Sequence, residues 1–201
     1  MTITTQWAAT ERIEGLVPAP GGLGFVQDFL NTCSDGIPAP RHRHDDLLAD
    51  LASARKWLAG AVSSLAEHRG PLTAPRLTAE DLDPLVALRR QLRGLVVGET
   101  TVDGLAGAAV VEVAPGPSFA LRPAGDGWRW IAAAALAECF LAQENGTWRR
   151  LKACRNPVCP ATFYDHTRNN NGVWHSVRSC GNPANLRASR ARKRAAEGID
   201  S

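Results

Sequence analysis

No apolar run in this chain of 201 residues approaches the roughly 20 residues that a membrane-spanning helix needs. The first residues, Met-Thr-Ile-Thr-Thr-Gln-Trp, lack both the basic region and the apolar stretch of a secretory signal, so we expect none. The run Gly21-Gly22-Leu23-Gly24 has neither the spacing nor the lysine of a phosphate-binding loop. The G-x-S-x-G and H-E-x-x-H motifs are also missing. These absences argue against a membrane protein and weigh against an enzyme without excluding one.

Cysteine is scarce as well. The chain has five cysteines, and three of them, Cys154, Cys159 and Cys180, fall within one window of 27 residues. The other two, Cys33 and Cys139, stand far apart. A reduced cytoplasmic protein with two ordinary thiols fits this pattern better than a disulfide framework does.

Four residues near the C-terminal end have the spacing of a tetrahedral zinc site, which reads C-x4-C, then fifteen residues, then H-x4-C. They are Cys154, Cys159, His175 and Cys180. Two short chelating loops each bring a pair of ligands together, and four protein ligands leave no position for a catalytic water. We therefore predict one structural zinc ion. His166 is a rival ligand, but the matched spacing favours His175; neighbouring Asp165 is expected to accept a hydrogen bond from an imidazole ring.

The segment around these ligands resembles the CGNR zinc finger of bacterial proteins. The matching stretches are residues 154–159 (C-R-N-P-V-C), residues 163–169 (F-Y-D-H-T-R-N), Trp174 and Cys180-Gly181-Asn182. Two positions depart from the family. Its third ligand, a cysteine directly after the tryptophan, is His175 here, and zinc also accepts an imidazole nitrogen. Its arginine after Gly-Asn is Pro183 here, which removes a positive charge close to the metal.

A more diffuse resemblance covers the N-terminal part. Asp28-Phe29-Leu30-Asn31-Thr32 and the leucine- and arginine-rich run over residues 82–97 are similar to the ABATE domain, which precedes this finger in its family. Such proteins are described as stress-induced transcription regulators. With the end of the last N-terminal helix expected at Asn145-Gly146, we predict an ABATE-like domain over residues 1–147 and the zinc finger over residues 148–201.

The hydrophobic pattern predicts an α+β fold, with a mostly helical N-terminal domain that has a few short strands and a small zinc-finger module that ends in a basic helix. We expect an irregular arm over residues 1–24 and a short helix or strand over residues 25–31. Helices are predicted over residues 47–58 (with Asp45 and Asp46 at its start), 61–68 and 131–143, and a long one from residue 82 with Thr78 as its cap. Strands are predicted over residues 105–113, 118–122 and 127–130. Asp28 and Asn31 stand one helical turn apart, so they either point together into a cleft or have capping roles.

The charge is distributed unevenly. Residues 148–201 hold eleven Lys and Arg against three acidic residues, a net charge of +8, whereas residues 1–147 hold twelve against seventeen, a net charge of −5. A basic module on an acidic body implies a polyanionic partner for the module. A solvated tail whose charge serves solubility is the alternative interpretation.

The end of the chain predicts a basic helix. Asn182 and Pro183 suit the N-cap and first position of a helix over residues 184–197. Three of its arginines share a face, and further basic residues widen the surface. The predicted DNA contacts are Arg178, Arg187, Arg190, Arg192, Lys193 and Arg194. The alternative is a frayed tail that becomes helical only on binding.

These features predict a DNA-binding transcription regulator whose N-terminal domain senses a small-molecule effector or mediates association, for example as a homodimer. One alternative is an enzyme or an accessory protein of a metabolic pathway in which the finger is a structural clamp. Another is a module whose finger grips a second protein. Pro183, at the position of the family's arginine, keeps the metabolic alternative open.

Overall fold

Helices supply most of the architecture in the computed structural model, which describes residues 7–33, 45–99, 111–114 and 120–197. The helices are α1 (Ala8–Glu11), α2 (Leu23–Leu30), α3 (Leu51–Arg69), α4 (Leu82–Val97), α5 (Gly127–Glu144) and α6 (Asn182–Glu197). Two antiparallel pairs of short strands complete the fold, β1 (Val111–Ala114) with β2 (Ala120–Pro123), and β3 (Leu151–Ala153) with β4 (Thr162–Tyr164). The predicted fold class, mostly helical α+β with a C-terminal finger that ends in a helix, is confirmed. Over the described ranges, no helix combines the length and the apolar character that crossing a bilayer requires.

Helix α2 lies at the centre of the core. All eight of its residues are buried, and it contacts α1, α3, α4, α5 and strand β4. Phe25 and Phe29 of α2 pack against Trp57 of α3, with ring centroids 6.3 Å and 5.6 Å apart. Such aromatic contacts bury large apolar surfaces, so α2 is the element around which the other helices assemble.

The N-terminal arm has no regular structure over residues 12–22, as predicted, but it contains helix α1 and packs into the core. Trp7 is only 2% exposed, α1 follows it, and Ile13 is also buried. The Trp7 ring lies directly against Gly24, where an added Cβ would come within 2.6 Å of the ring. The arm is therefore part of the core, because a glycine in α2 leaves space for its tryptophan.

The two helices predicted over residues 47–58 and 61–68 form one helix, α3. Gly60 lies inside it and faces open space, so the helix continues through a residue that costs only about 1 kcal/mol relative to alanine. The N-cap is Asp50, whose side chain accepts a hydrogen bond from the Ser53 amide at 2.9 Å. Asp46, one of the two acidic residues expected at this helix start, pairs instead with Arg89 of α4 at 2.7 Å.

The strand predicted over residues 127–130 is also wrong, because these residues form the first turn of α5. Asp126 caps the helix by accepting a hydrogen bond from the Gly127 amide at 2.8 Å. Asp81 accepts a second one from the Trp128 amide at 3.0 Å. Parts of the other predicted strands, residues 105–110 and 118–119, lie outside the described residues. The predicted Thr78 cap is present as a capping box with Asp81, before α4.

Asp28 and Asn31 do not line a cleft. Both are buried, and the Asp28 carboxylate accepts hydrogen bonds from the Thr10 amide at 2.7 Å and from Trp57 Nε1 at 2.8 Å. The Asn31 side chain accepts from the Thr162 amide at 2.8 Å and donates to the Thr162 carbonyl at 2.9 Å. These two residues tie the N-terminal arm and strand β4 of the finger to α2.

The division of the chain at residues 147 and 148 stays a prediction. It falls between α5 and a 3-10 turn, Trp148–Arg150, that leads into β3. Leu151, the first residue of β3, is buried in the same core as the helices of the N-terminal part. The two predicted domains therefore share apolar as well as polar contacts.

Replacing Asn31 by alanine is expected to destabilise the zinc-loaded protein by about 3 kcal/mol, because the Thr162 amide loses its partner inside the core and the Thr162 carbonyl keeps only a 3.4 Å hydrogen bond from Gln27. Urea denaturation followed by circular dichroism measures this free energy of unfolding. Asn185→Ala, at an exposed position of α6, is the matched control, and its free energy of unfolding should stay close to that of the wild type. An Asn31→Ala protein as stable as the control would contradict the docking role of this side chain.

The pH dependence of stability is expected to report on Asp28. Burial raises the pKa of Asp28 to about 6, from 3.8, despite the hydrogen bonds from Thr10 and Trp57. Because the folded state then binds the proton more tightly than the unfolded state, stability from this group increases as the pH falls through 6 towards 4. When the pH is lowered from about 7.5 to about 5, the free energy of unfolding of the wild type should rise by about 1–2 kcal/mol relative to that of Asp28→Asn. Parallel profiles for the two proteins would show that Asp28 does not titrate in this way.

Candidate metal centre and basic helix

The β3–β4 hairpin presents the first pair of predicted ligands. Cys154 directly follows β3, and its amide donates to the Ala161 carbonyl at 2.9 Å, which closes the hairpin. The Cys159 amide donates to the Asn156 carbonyl at 2.9 Å and so turns the loop between the two cysteines back on itself. Both cysteines are buried. The hairpin therefore holds two thiols on one side of a tight loop.

The second pair comes from the segment that enters α6. His175 is followed by Ser176, whose side chain accepts from the Ser179 amide at 3.2 Å and caps a single π-type turn, Val177–Gly181. Cys180 lies in this turn, and the turn continues without a break into α6. The predicted N-cap at Asn182 is therefore wrong, because Asn182 already has helical dihedral angles. Pro183 cannot donate a backbone hydrogen bond, and it stands at the second position of α6, shortly after this turn.

The four side chains converge on one point. Their ligand atoms all lie within 4.8 Å of one another. His175 Nδ1 is 3.4 Å from Cys159 Sγ and 3.6 Å from Cys180 Sγ. A tetrahedral zinc ion with ordinary bond lengths separates such atoms by about 3.6 Å. Three cysteines and one histidine with this spacing fit one structural zinc ion, as predicted.

The pKa values of the three cysteines shift in different directions. A hydrogen bond from the Cys159 side chain lowers the pKa of Cys154 to about 3. The same hydrogen bond raises the pKa of Cys159, and burial raises the pKa of Cys180. A bound divalent cation allows all three sulfurs to ionise together.

A chain of hydrogen bonds connects the metal site with α6. Asn156 Nδ2 donates to Cys180 Sγ at 3.4 Å, and Arg187 donates to Asn156 Oδ1 at 3.3 Å. An N–H donor stabilises negative charge on a zinc-bound sulfur. The sequence offers two local signals for this role of Asn156, which are its position between the first two ligands and its place in the C-R-N-P-V-C stretch.

Asp165 forms no hydrogen bond with the imidazole ring of any described histidine, in contrast to the expectation. Burial disfavours its charged form, but hydrogen bonds from Lys152, Thr167 and Gly172 outweigh this and hold the pKa of Asp165 below its usual range. The carboxylate thereby shapes the loop after β4. His166 lies outside the cluster of ligands, and its ring contacts Tyr164 with centroids 4.8 Å apart.

Apolar side chains from two parts of the chain cover the metal site. Ile13 of the N-terminal arm is buried against the cysteines, and Leu16 and Trp174 pack beside it. Gly181 lies against the Trp174 ring, where an added Cβ would be 3.0 Å from its Cδ1 atom. This close approach explains the glycine of the C-G-N motif. The contribution of the arm, in contrast, has no signal in the finger's own sequence.

The predicted DNA-contacting residues are exposed side chains on α6 and the turn before it. They are Arg178, Arg187, Arg190, Arg192, Lys193 and Arg194. At 3.6 residues per turn, Arg187, Arg190 and Arg194 share one face, whereas Arg192 lies about 140° round the helix from Arg187. The structure therefore brings three of them together on a single side of α6.

Comparison with known families gives two matches, in the expected order. The model of the ABATE family, described as "Putative stress-induced transcription regulator", matches residues 24–144. The model of the CGNR zinc finger matches residues 150–193. Comparison with curated proteins found no match. The two resemblances inferred from the sequence are confirmed, and the first covers more than half of the chain.

Loss of one ligand is expected to abolish zinc binding. Cys159→Ser should reduce the metal content from one zinc per chain to nearly none and disorder the finger, because structural zinc supplies much of the folding free energy of such modules. Metal content is measured by mass spectrometry of the purified protein. Cys139→Ser is the matched control, since burial raises the pKa of Cys139 to about 12 and it lies outside the cluster. Retention of zinc by Cys159→Ser, or its loss from Cys139→Ser, would refute the assignment.

Proposed function

The chain belongs to the ABATE family, and we propose that it is a transcription regulator that binds DNA through α6, with the zinc ion holding this helix in position. The observation that carries the proposal is the continuous connection between metal and helix. Cys180 lies in the turn that runs directly into α6. A metal ligand at that point restricts the direction in which the helix leaves the finger, which a DNA-reading helix requires.

The charge of α6 supports a DNA partner. From Asn182 to Arg194, the sequence has five basic residues and no acidic one. Arg190 and Arg194 are exposed on the same face as Arg187. Arginine side chains bind phosphates and the edges of guanine, and a helix with such a face suits the major groove. Because Arg187 also donates to Asn156 beside the metal, we assign it a role in positioning the helix as well as in binding.

One short helix buries too little surface for tight binding, so the proposal includes a second contact. A homodimer or a further basic surface next to the metal, which Arg178 would contribute, supplies it. We propose that the N-terminal domain mediates this association or senses a small-molecule effector. A cytoplasmic location follows from the proposed DNA partner.

The alternative function is a structural one, in which the finger clamps the helical body of an enzyme or an accessory protein. The pairing of Asn31 with Thr162 favours it, because this contact fastens the finger to the body. Arg93 of α4 adds hydrogen bonds to the Pro160 and Cys159 carbonyls. A clamp needs these contacts but has no need for exposed arginines on α6, so substitutions there separate the two functions.

Neutralising Arg190 and Arg194 together is expected to weaken binding to duplex DNA of any sequence. The plot of log affinity against log salt should become shallower by up to about 0.9 for each phosphate that the protein no longer neutralises. Fluorescence anisotropy of the zinc-loaded protein with labelled duplex, including its own upstream DNA, measures both effects at two salt concentrations. The matched control is Lys56→Gln with Arg76→Gln, which removes two exposed charges from the helical body.

Two results would contradict the DNA-binding proposal. One is the absence of measurable binding at about 50 mM salt, where electrostatic attraction is strong. The other is equal weakening by the α6 double variant and by the control, which would indicate an effect of net charge alone. Either result would favour the structural clamp.

A further inference from the structure

A cavity of about 430 Å³ lies between the helical body and the finger. Its apolar wall includes Leu30 at the end of α2, Leu48 in the segment before α3, and Val86 of α4. Pro160, from the loop between the second zinc ligand and β4, closes one side. The volume falls within the range of pockets that bind small molecules, about 300–1,000 Å³.

Three arginines of α4 line the same cavity, and two of them carry charge that no acidic group among the described residues offsets. Arg89 forms an ion pair with Asp46 at 2.7 Å. Arg93 donates to the Pro160 and Cys159 carbonyls, which are neutral. Arg90 is exposed and forms no hydrogen bond or ion pair with any described residue. Because Arg90 and Arg93 stand one helical turn apart, their guanidinium groups lie on the same side of α4.

An apolar wall beside two uncompensated guanidinium groups defines a ligand chemistry. We propose that this cavity binds a small amphipathic anion, whose carboxylate or phosphate head group pairs with Arg90 and Arg93 and whose apolar body lies against Leu48 and Val86. A guanidinium binds either head group through paired hydrogen bonds. A role of this anion as the effector rests on the proposed function, and the site then defines the chemical class of that effector. Binding of the anion does not depend on the proposed function.

The position of Arg93 links this cavity to the finger. Its guanidinium also lies 3.4 Å from Thr162 Oγ1, in the strand that Asn31 holds. The guanidinium of Arg93 would therefore bind both the ligand and the loop that carries the zinc ligand Cys159. If ligand binding changes the equilibrium constant for docking of this loop, docking of the loop changes the affinity for the ligand by the same factor.

The test compares three probes with the same eight-carbon chain, which are octanoate, octyl phosphate and neutral octanol. Isothermal titration calorimetry uses the zinc-loaded full chain, without DNA, at about 50 mM salt to limit screening. At least one anion should bind about tenfold more tightly than octanol. The apolar chain is the same in all three probes, and only the anions add a charge-assisted hydrogen bond to an arginine. The tighter of the two anions identifies the head group as carboxylate or phosphate.

Two variants, each with a matched control, locate the site. Arg90→Gln should weaken anion binding by about tenfold, whereas Lys56→Gln on α3 should not. Ala49→Trp fills the cavity from its exposed rim and should prevent binding, whereas Ala59→Trp at an exposed position of α3 should not. Zinc content and circular dichroism establish that all four variants are folded.

Binding of octanol as tight as that of both anions would overturn the proposal, and so would absence of binding by all three probes. Anion binding that survives both Arg90→Gln and Ala49→Trp would show that the site lies elsewhere, which also overturns it. Since no DNA is present, a negative result leaves the DNA-binding proposal untouched. A protein that binds the anion but no DNA would support the cavity proposal and contradict the DNA-binding proposal.

Discussion

The pairing of the Asn31 side chain with both backbone polar groups of Thr162 fastens the finger to the helical body. Asn31, in the centre of the core, satisfies both the amide and the carbonyl of Thr162, and all of these groups are buried. Unpaired, they would carry the full cost of desolvation. The finger's hairpin is therefore fixed in register against α2, and the zinc site is built on a hairpin whose position the helical body determines.

Several other contacts depend on this position of the hairpin against α2. Arg93 reaches the carbonyls of the ligand loop only because the hairpin lies beside α4. Ile13 covers the cysteines because the N-terminal arm, held by Asp28 through Thr10, passes the same side of the molecule. Zinc thus organises the finger locally, while buried polar groups of α2 orient the finger as a whole. The same arrangement produces the cavity next to Pro160.

Features with local causes were accessible from the sequence, and those with distant causes were not. The four ligands were predicted because chelation depends on short spacing, and the Thr78 cap because its partner Asp81 is three residues away. Asn31 and Thr162 are 131 residues apart, and nothing near either residue indicates the other. Likewise, residues 127–130 have the composition of a strand, but Asp126 and Asp81 cap them as a helix. Tertiary contacts overrode local preference there.

The proline that replaces the family's arginine changes less than the motif suggests. Positions 183 and 187 are four residues apart on a continuous helix, so they lie on the same face one turn from each other. Arg187 donates to Asn156, and Asn156 in turn donates to the sulfur of Cys180. Arg187 therefore connects a cation to the metal site, one turn further along α6. Although Pro183 donates no backbone hydrogen bond, α6 keeps both its connection to the zinc ligand and its exposed arginines.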